Sequence, residues 1–527
     1  MTTPTFNLID QPWIPCIAGD GRVVELGLKD TLLQAHELQG LGGETPLVTA
    51  ALYRLLLAVL YRAMAPPEDD EDWEALWRAR RWDADRITDY LERWRDRFDL
   101  FHPEHPFYQW QEGKTYQKEA NELIFHFASK NNATLFDHHV DETITILTPA
   151  EAIRTLPVLQ AFRPAGGGGV KTTVSSSAPW SGGSVIFFGE GNTLFETLAL
   201  NFIPLDWLDG LSMSDQDRPI WEANNPLAPA RKIPLGITDY LTWLNLSLRF
   251  VPEVEDNRVI VRHAVISSGL KLSKDLLDPF KHYFRIQNKG LVPLKFGEYR
   301  ALWRDSASLL SFNQADADVH APRFLEWISS LLRYRIIDSS YSYRVMAIGA
   351  VSGSVDAEPR ASAAKFHFYR EEHLPVPTQY LQDKELVERL GKALQLAENV
   401  RETLMTSVYH LAWKYIAPKA DKLNKSQRND VKNLMAHWAA ERFYWAELEP
   451  AFFHLLEILP QHPNDALDQW TETLLDTAER AFARTEAALP DNARGLRAAV
   501  RARGKLRGSL KKFRPSSSQP EVIHDAV

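Results

Sequence analysis

After Pro375-Val-Pro377 the apolar residues of this chain fall into helical step and hold it almost to the end. Leu386, Leu390, Leu394, Ala397, Leu404, Val408, Leu411 and Tyr415 recur mostly every three or four residues, which sets them on one stripe of a long helix that stops before Pro418. Val431, Leu434 and Trp438, with Phe453 and Leu456 beyond Pro450, mark a second helical stretch over residues 425–459. Leu467, Trp470, Leu474, Ala478 and Phe482 mark a third over 464–489, and a last one covers 491–513. Apolar stripes of this kind are buried most fully against one another, so the spacing predicts a four-helix bundle over residues 378–514. Residues 515–527 lack the pattern and are expected to form a flexible tail.

Residues 1–377 read differently. Phe6-Asn-Leu-Ile-Asp-Gln-Pro-Trp-Ile-Pro15 alternates apolar and polar residues and stops at prolines, as a short strand entering a turn does, and a second strand is expected around Arg22 to Leu28. Thr45 is placed to cap a helix whose first residue is Pro46 and whose face is Leu47, Ala51, Leu55, Val59 and Ala63. Residues 69–97 predict one or two further helices burying Trp73, Leu76, Trp77, Ile87, Leu91 and Trp94. From 98 to 375 short β-branched runs such as Arg258-Val-Ile-Val-Arg262 alternate with loops, three of which (129–142, 163–183 and 348–364) are too long for simple connectors. The expectation is therefore an α+β chain, with a large mixed α/β N-terminal domain followed by a C-terminal four-helix bundle. A length of 527 residues suits two to four domains.

Charge and sulfur narrow the function. Sixty Lys and Arg against 69 Asp and Glu give a net charge of -9, which disfavours a chain that coats nucleic acid over its whole surface but leaves room for local basic sites. One such site is the C-terminal window holding Arg494, Arg497, Arg501, Arg503, Lys505, Arg507, Lys511, Lys512 and Arg514 with no acidic residue among them; it is suited to a phosphate backbone, an acidic neighbour or plain solvent. A smaller basic group, Lys281, Arg285 and Lys289, lies on an expected hairpin that ends at Asn288-Lys289-Gly290. The single cysteine, Cys16, excludes internal disulfides and cysteine-clustered zinc, and it fits a reducing cytoplasm. No run of about 18 uninterrupted apolar residues is present, and Leu55 to Leu60, flanked by Arg54 and Arg62, reads as a core helix, so neither a membrane role nor export is expected.

Three constellations could carry chemistry. His102, His105, His138 and Asp141 are the types a metal-dependent hydrolase would gather, yet prolines deny the first pair helical spacing, and turn residues that satisfy backbone groups are the simpler reading. Gly349-Ala-Val-Ser352-Gly353 misses a serine-nucleophile elbow by one residue, and no Walker-type phosphate loop exists. The run Gly166, Gly167, Gly168, Gly169, followed by Lys171 and several hydroxyl residues, could bring bare backbone against a nucleic-acid minor groove or could be a linker.

The Phe6–Pro15 segment together with Asp99-Leu-Phe-His-Pro-Glu-His-Pro-Phe-Tyr-Gln109 resembles the large-subunit (CasA) family of the type I-E CRISPR surveillance complex, Cascade. The likeness continues in order through Leu135-Phe136-Asp137, the glycine run, the Asn288-Lys289-Gly290 turn, the Gly349 region and the C-terminal helices. It implies a non-enzymatic subunit without cofactor or metal. Such a subunit joins crRNA-bearing backbone and small subunits, reads the protospacer-adjacent motif (PAM) in double-stranded target DNA, helps open the duplex into an R-loop and docks a helicase-nuclease. It further implies that Phe136 orders against nucleic acid and neighbouring subunits, that Gly166 to Gly169 enter the PAM minor groove with Lys289 beside them, and that Gly353, Ser354 and Val355 form the strand-separating wedge. Where relatives can carry an Asn/Gln pair at that wedge, this chain has the smaller, less polar Ser354-Val355, and it lacks the cysteine cluster of some relatives. A scaffold that never touches DNA is the remaining alternative.

Overall fold

The computed structural model describes residues 4–124, 146–163, 178–180, 184–208, 210–211, 214–297, 299–313, 319–352 and 366–514. These form two units, one of residues 1–302 and 312–381, the other of 303–311 and 382–527.

The first unit is built around the Pro46–Ala63 helix. Thr45 caps it, its hydroxyl accepting from the Val48 amide, and Pro46 fills the first position, where a missing N–H costs nothing. By length and composition it is the one helix among the described residues apolar enough to cross a membrane, but 83% of it is buried inside the molecule. Its neighbours include the helices Pro149–Phe162, Leu194–Asn201 and Ile237–Leu241.

Four three-stranded antiparallel sheets accompany these helices among the described residues. In one, Ile14–Ala18 lies between Val23–Leu26 and Leu38–Leu41. In a second, Arg258–Ser268 lies between Tyr116–Glu119 and Leu246–Glu255, and the turn joining the two long strands has both Asp256 and Asn257 at positive φ, which short polar side chains tolerate. The third places Arg344–Ser352 between Phe366–Pro375 and Ile186–Glu190, and the fourth places Tyr283–Ile286 between Val319–His320 and Gly290–Pro293.

Several sequence expectations change here. The first strand begins at Ile14 and not at Phe6, because Phe6–Asp10 is occupied elsewhere. Asn7 bridges Asp99, the Leu8 amide donates to Phe98 O at 2.9 Å, and the Leu100 amide donates to Phe6 O at 2.9 Å. The two motifs that carried the resemblance thus bind each other across more than ninety residues of chain. Leu76 and Trp94 are only half-buried, whereas Trp73, Trp77, Ile87 and Leu91 are in the core. Ile348–Ser352, expected in a loop, completes a strand.

Among the described residues the second unit has five α-helices after residue 382, where four were expected: Lys384–Ile416, Lys425–Trp438, Ala440–Ile458, Pro463–Ala487 and Ala493–Leu510. Ala439, at φ 51° and ψ 34°, breaks the expected 425–459 helix in two. Beyond the break Phe452 is buried and Phe453 half-exposed, while before it Leu434 is half-exposed beside the buried Val431 and Trp438. The Lys384–Ile416 helix packs against the other four. Trp303, from the segment 303–311 that falls within the expected N-terminal domain, stacks on Phe452 with ring centroids 4.7 Å apart.

A left-handed alanine costs roughly 1–2 kcal/mol that glycine avoids, partly offset by glycine's greater unfolded-state entropy. Ala439→Gly is expected to stabilise the helical unit by about 0.5–1 kcal/mol in denaturant unfolding followed by helical circular dichroism; an unchanged or lower midpoint contradicts the reading.

Candidate nucleic-acid interface

Of the DNA-contacting residues named from sequence, Asn288 and Lys289 lie within the described structure. Phe136, Gly166 to Gly169, Lys171, Gly353, Ser354 and Val355 lie outside the described residues, as do His138, Asp141 and 515–527. The structure describes the framework from which segments 164–177 and 353–365 leave.

That framework starts with the strand Ile186–Glu190, which pairs antiparallel with Arg344–Ser352 so that Ile186 opposes Ile348 and Glu190 opposes Arg344. The Ser352 end, which runs on into Gly353, therefore lies at the same edge as the chain entering Ile186. Along that entering chain the Val185 amide donates to Leu294 O at 2.9 Å and Ser184 bridges Lys295, which lays the return arm of the 283–293 hairpin beside it. Gly349 lets the chains approach closely there: a Cβ would lie 3.0 Å from Ser184 O and 3.2 Å from the Phe296 ring, so a side chain fits only if these neighbours give by a few tenths of an ångström.

The same chain, a few residues earlier, is the C-terminal foot of the glycine run. The Ala178 amide donates to Arg163 O at 3.2 Å and the Trp180 amide to Ala161 O at 2.8 Å, so the two ends of segment 164–177 are held together. The N-terminal foot closes the Pro149–Phe162 helix, which starts in a Thr148/Glu151 capping box and is tied near its end by Gln160 to both backbone groups of Leu246. Arg163 itself is buried, and neither terminal guanidinium nitrogen has a partner among the described residues; burial brings its pKa down to about 10.

The hairpin turn is a three-residue loop. Asn288 and Gly290 take positive φ (66° and 73°), and the Lys289 amide donates to Ile286 O at 3.0 Å. Residues 285–289 are exposed, so Lys289 presents its ammonium to solvent. Lys281, grouped with it from sequence, is a correction: it is buried, donating to Pro179 O at 2.6 Å and lying 3.5 Å from Asp278.

The far end of the platform is fastened by charge. His373 on one outer strand reaches across Arg344–Ser352, its Nδ1 lying 2.7 Å from Glu190 on the other, while its Nε2 lies 3.1 Å from Glu371. These hydrogen bonds, against some burial, lift the His373 pKa to about 9, and although burial works the other way, His373 and Arg344 hold the Glu190 carboxyl below its usual range. No sequence pattern pointed to this clamp.

The basic C-terminal window also changes in space. Arg497, Arg501, Arg503, Lys505, Arg507, Lys511 and Lys512 are all exposed, as Gly495, Ala498, Ala502, Leu506 and Leu510 form the buried stripe of the Ala493–Leu510 helix. Acid-free in sequence, the helix is not acid-free in its surroundings. Arg503 forms a two-pronged pair with Glu486, and Arg507 lies 3.8 Å from Glu479, both acids on the Pro463–Ala487 helix. Arg494 donates to the Ile416 carbonyl and covers the Tyr415 ring, a cation at a helix C-terminus. Arg501 and Lys505 lie instead on the side of His410, whose pKa is lowered by burial and by Lys505, Lys414 and Arg501. There, Thr403, Thr406, Ser407, Lys505 and Ser509 line an open groove of about 360 Å³.

Two residues of the hydrolase alternative, His102 and His105, lie within the described structure. The His102 Nδ1 accepts from the amides of Glu104 and His105 at 3.3 and 3.0 Å, the backbone-satisfying role of a turn residue. Among the described residues no group of three or more His, Cys, Asp or Glu could hold a metal ion. Burial pushes the Cys16 thiol up to about 12, which leaves it inert as a nucleophile at neutral pH.

Residues 7–481 match the model of the family described as CRISPR-associated protein Cse1. The chain belongs to the Cse1 family. CRISPR-associated protein CasA/Cse1 of Thermus thermophilus is 34% identical over 523 residues, covering 96% of this chain and 98% of its own. The crystal structure of Thermus thermophilus CasA matches with a TM-score of 0.76 at 29% identity, over 97% of this chain and 100% of the other. Cse1 from Acidimicrobium ferrooxidans shares the fold with a TM-score of 0.79 at 24% identity, over 97% and 99% of the two chains. The Cse1 family match stops inside the Pro463–Ala487 helix, so the basic Ala493–Leu510 helix lies beyond it.

The clamp sets a pH dependence. A histidine whose pKa is raised on folding contributes stability that is complete below the unfolded value near 6.5 and is lost as pH rises through about 9. Glu190, with its pKa lowered, contributes above the unfolded value of 4.5 and less as pH falls. His373→Gln should therefore be destabilised relative to the parent most between pH 5 and 6.5, with the gap closing by about pH 10 in parallel melting curves. A gap independent of pH contradicts this.

Proposed function

We propose that this Cse1-family chain is the non-catalytic large subunit of a type I-E Cascade, a cytoplasmic assembly, and that it reads the PAM in double-stranded DNA, helps open the duplex and receives the helicase-nuclease. A solved chain of a "CRISPR RNA-guided surveillance complex" shares its fold, with a TM-score of 0.72 at 22% identity over 96% of this chain. One observation carries the reading: the ends of the glycine segment, the strand end at Ser352 and the base of the Asn288/Lys289 hairpin converge on one edge of one platform.

That convergence suits the chemistry of a PAM reader. The minor groove distinguishes little beyond A·T from G·C, so bare glycine backbone with one lysine beside it tolerates several sequences. Unstacking costs roughly a few kcal/mol per step, and a wedge at Gly353 to Val355 must offset this through contacts to the separated strands. Phe136 and Lys171 complete the proposed contact set, and the crRNA-bearing subunits supply the remaining positive charge. The acidic total of -9 is then no obstacle.

The basic helix divides into two roles. Arg503 and Arg507, paired with Glu486 and Glu479, brace the helices, while Arg497, Arg501, Lys505, Lys511 and Lys512 remain to meet phosphate or an acidic subunit.

Lys289→Ala in the assembled complex should weaken binding to PAM-bearing duplex about tenfold and leave binding to single-stranded target unchanged. Equal affinity of parent and variant for the duplex would remove the hairpin from DNA reading. In the helix, Arg497, Arg501 and Lys505 changed together to Ala should lower the slope of log affinity against log salt by about one unit for each phosphate no longer neutralised. Arg503→Ala with Arg507→Ala should instead lower the melting temperature with the slope unaltered; the reverse pattern contradicts the division.

A further inference from the structure

The hairpin that bears Lys289 and the foot of the glycine segment are joined below the surface by a buried ionic cluster that none of the proposed DNA contacts includes. Lys281 and Asp278 are 7% and 5% exposed. The Lys281 ammonium donates to the carbonyl of Pro179, the residue between Ala178 and Trp180 at the foot. Asp278 accepts from the Tyr240 hydroxyl and from the Phe280 amide at 2.9 Å, and its own amide donates to the hydroxyl of Tyr283, the first residue of the hairpin, at 3.0 Å. The Tyr240 hydroxyl in turn accepts from the Trp180 indole at 3.2 Å, and the Arg54 guanidinium lies over both rings, 4.9 Å from Trp180 and 5.2 Å from Tyr240. A closed circuit therefore runs from the hairpin base through Asp278 and Lys281 to the foot of the glycine segment and back through Tyr240.

Such a circuit is a poor way to gain stability alone. Desolvating an ammonium and a carboxylate offsets most of their attraction, and apolar residues of similar volume fill a core at least as well. Burial accordingly lowers the Lys281 pKa, with Asp278 acting the other way. What a buried, hydrogen-bonded charge pair adds is direction, since an ammonium held between one carbonyl and one carboxylate fixes the distance and angle between the backbones that carry them.

We propose that the Asp278–Lys281 pair is a positioning device which sets the Lys289 hairpin in register with the foot of the glycine segment, so that Lys281 governs duplex reading without touching DNA. This rests on the PAM-reading role proposed above.

The test is a double-mutant cycle in the chain assembled with its crRNA-bearing partners, measuring affinity for PAM-bearing duplex and for single-stranded target. Lys281→Met should weaken duplex binding about tenfold, leave single-strand binding and assembly unchanged, and make the further change Lys289→Ala nearly without effect. Additive losses would mean that Lys281 acts independently of the hairpin and would overturn the proposal. So would parental duplex affinity in Lys281→Met beside a weakened Lys289→Ala, an outcome that leaves the PAM-reading role standing. Parental affinity in Lys289→Ala removes that role, and the inference with it. Should Lys281→Met fail to fold, Tyr240→Phe keeps the ring packing, deletes the hydroxyl link between Trp180 and Asp278, and is judged by the same coupling to Lys289→Ala.

Discussion

The pairing of Ile186–Glu190 with Arg344–Ser352 joins parts of the chain more than 150 residues apart, and everything proposed for this protein hangs on it. Without it, the end of the glycine segment and the strand leading to Gly353 have no reason to share an edge. The pairing is costly to form, since a long loop must close before the first backbone hydrogen bond offsets the lost entropy. Several interactions secure it once formed: Gly349 permits the close approach of Ser184 and Phe296, and His373 spans the central strand to reach Glu190. The hairpin is then laid on through Leu294 and Lys295. Rigid elements thus carry the loops that are proposed to meet DNA, an arrangement that keeps geometric precision in the sheet and chemical variation in the connections.

What could be read from the sequence was local. The Thr45–Pro46 helix start, the long Lys384–Ile416 helix and the Asn288-Lys289-Gly290 turn depend on residues within a few positions of one another, and each stands where the pattern put it. The misread features share a different cause. Phe6–Asp10 has strand-like alternation, but the backbone of Phe98 to Leu100 takes its hydrogen bonds. Ala439 ends a helix in a left-handed turn with neither glycine nor asparagine to announce it. Lys281 and Lys289 look alike in sequence, yet one is sealed beneath Pro179 and the other is exposed, a difference set by residues forty and a hundred positions away. Arg503 and Arg507 have no acidic neighbour along their own helix because their partners sit on the preceding one.

The charge balance of -9 acquires a more definite meaning in this light. Part of the positive charge is engaged internally, in Arg54 against backbone carbonyls, Arg231 on Asp239, Lys281 on Asp278 and Arg503 on Glu486. The exposed remainder includes Arg285 and Lys289 at the hairpin and Arg497, Arg501, Lys505, Lys511 and Lys512 at the C-terminal helix. For the role proposed, a few exposed cations on a fixed support suffice where partner subunits supply the rest, without the indiscriminate binding that a uniformly basic surface brings.

The most direct test of the central claim is a photo-crosslinking residue substituted at Asn288 in the fully assembled complex, presented with duplex whose strands are labelled on either side of the protospacer. Crosslinks are expected only to the few base pairs flanking the protospacer, and they should disappear when that flanking sequence is changed. Crosslinks only to other protein subunits, or to DNA without regard to the flanking sequence, would contradict the claim.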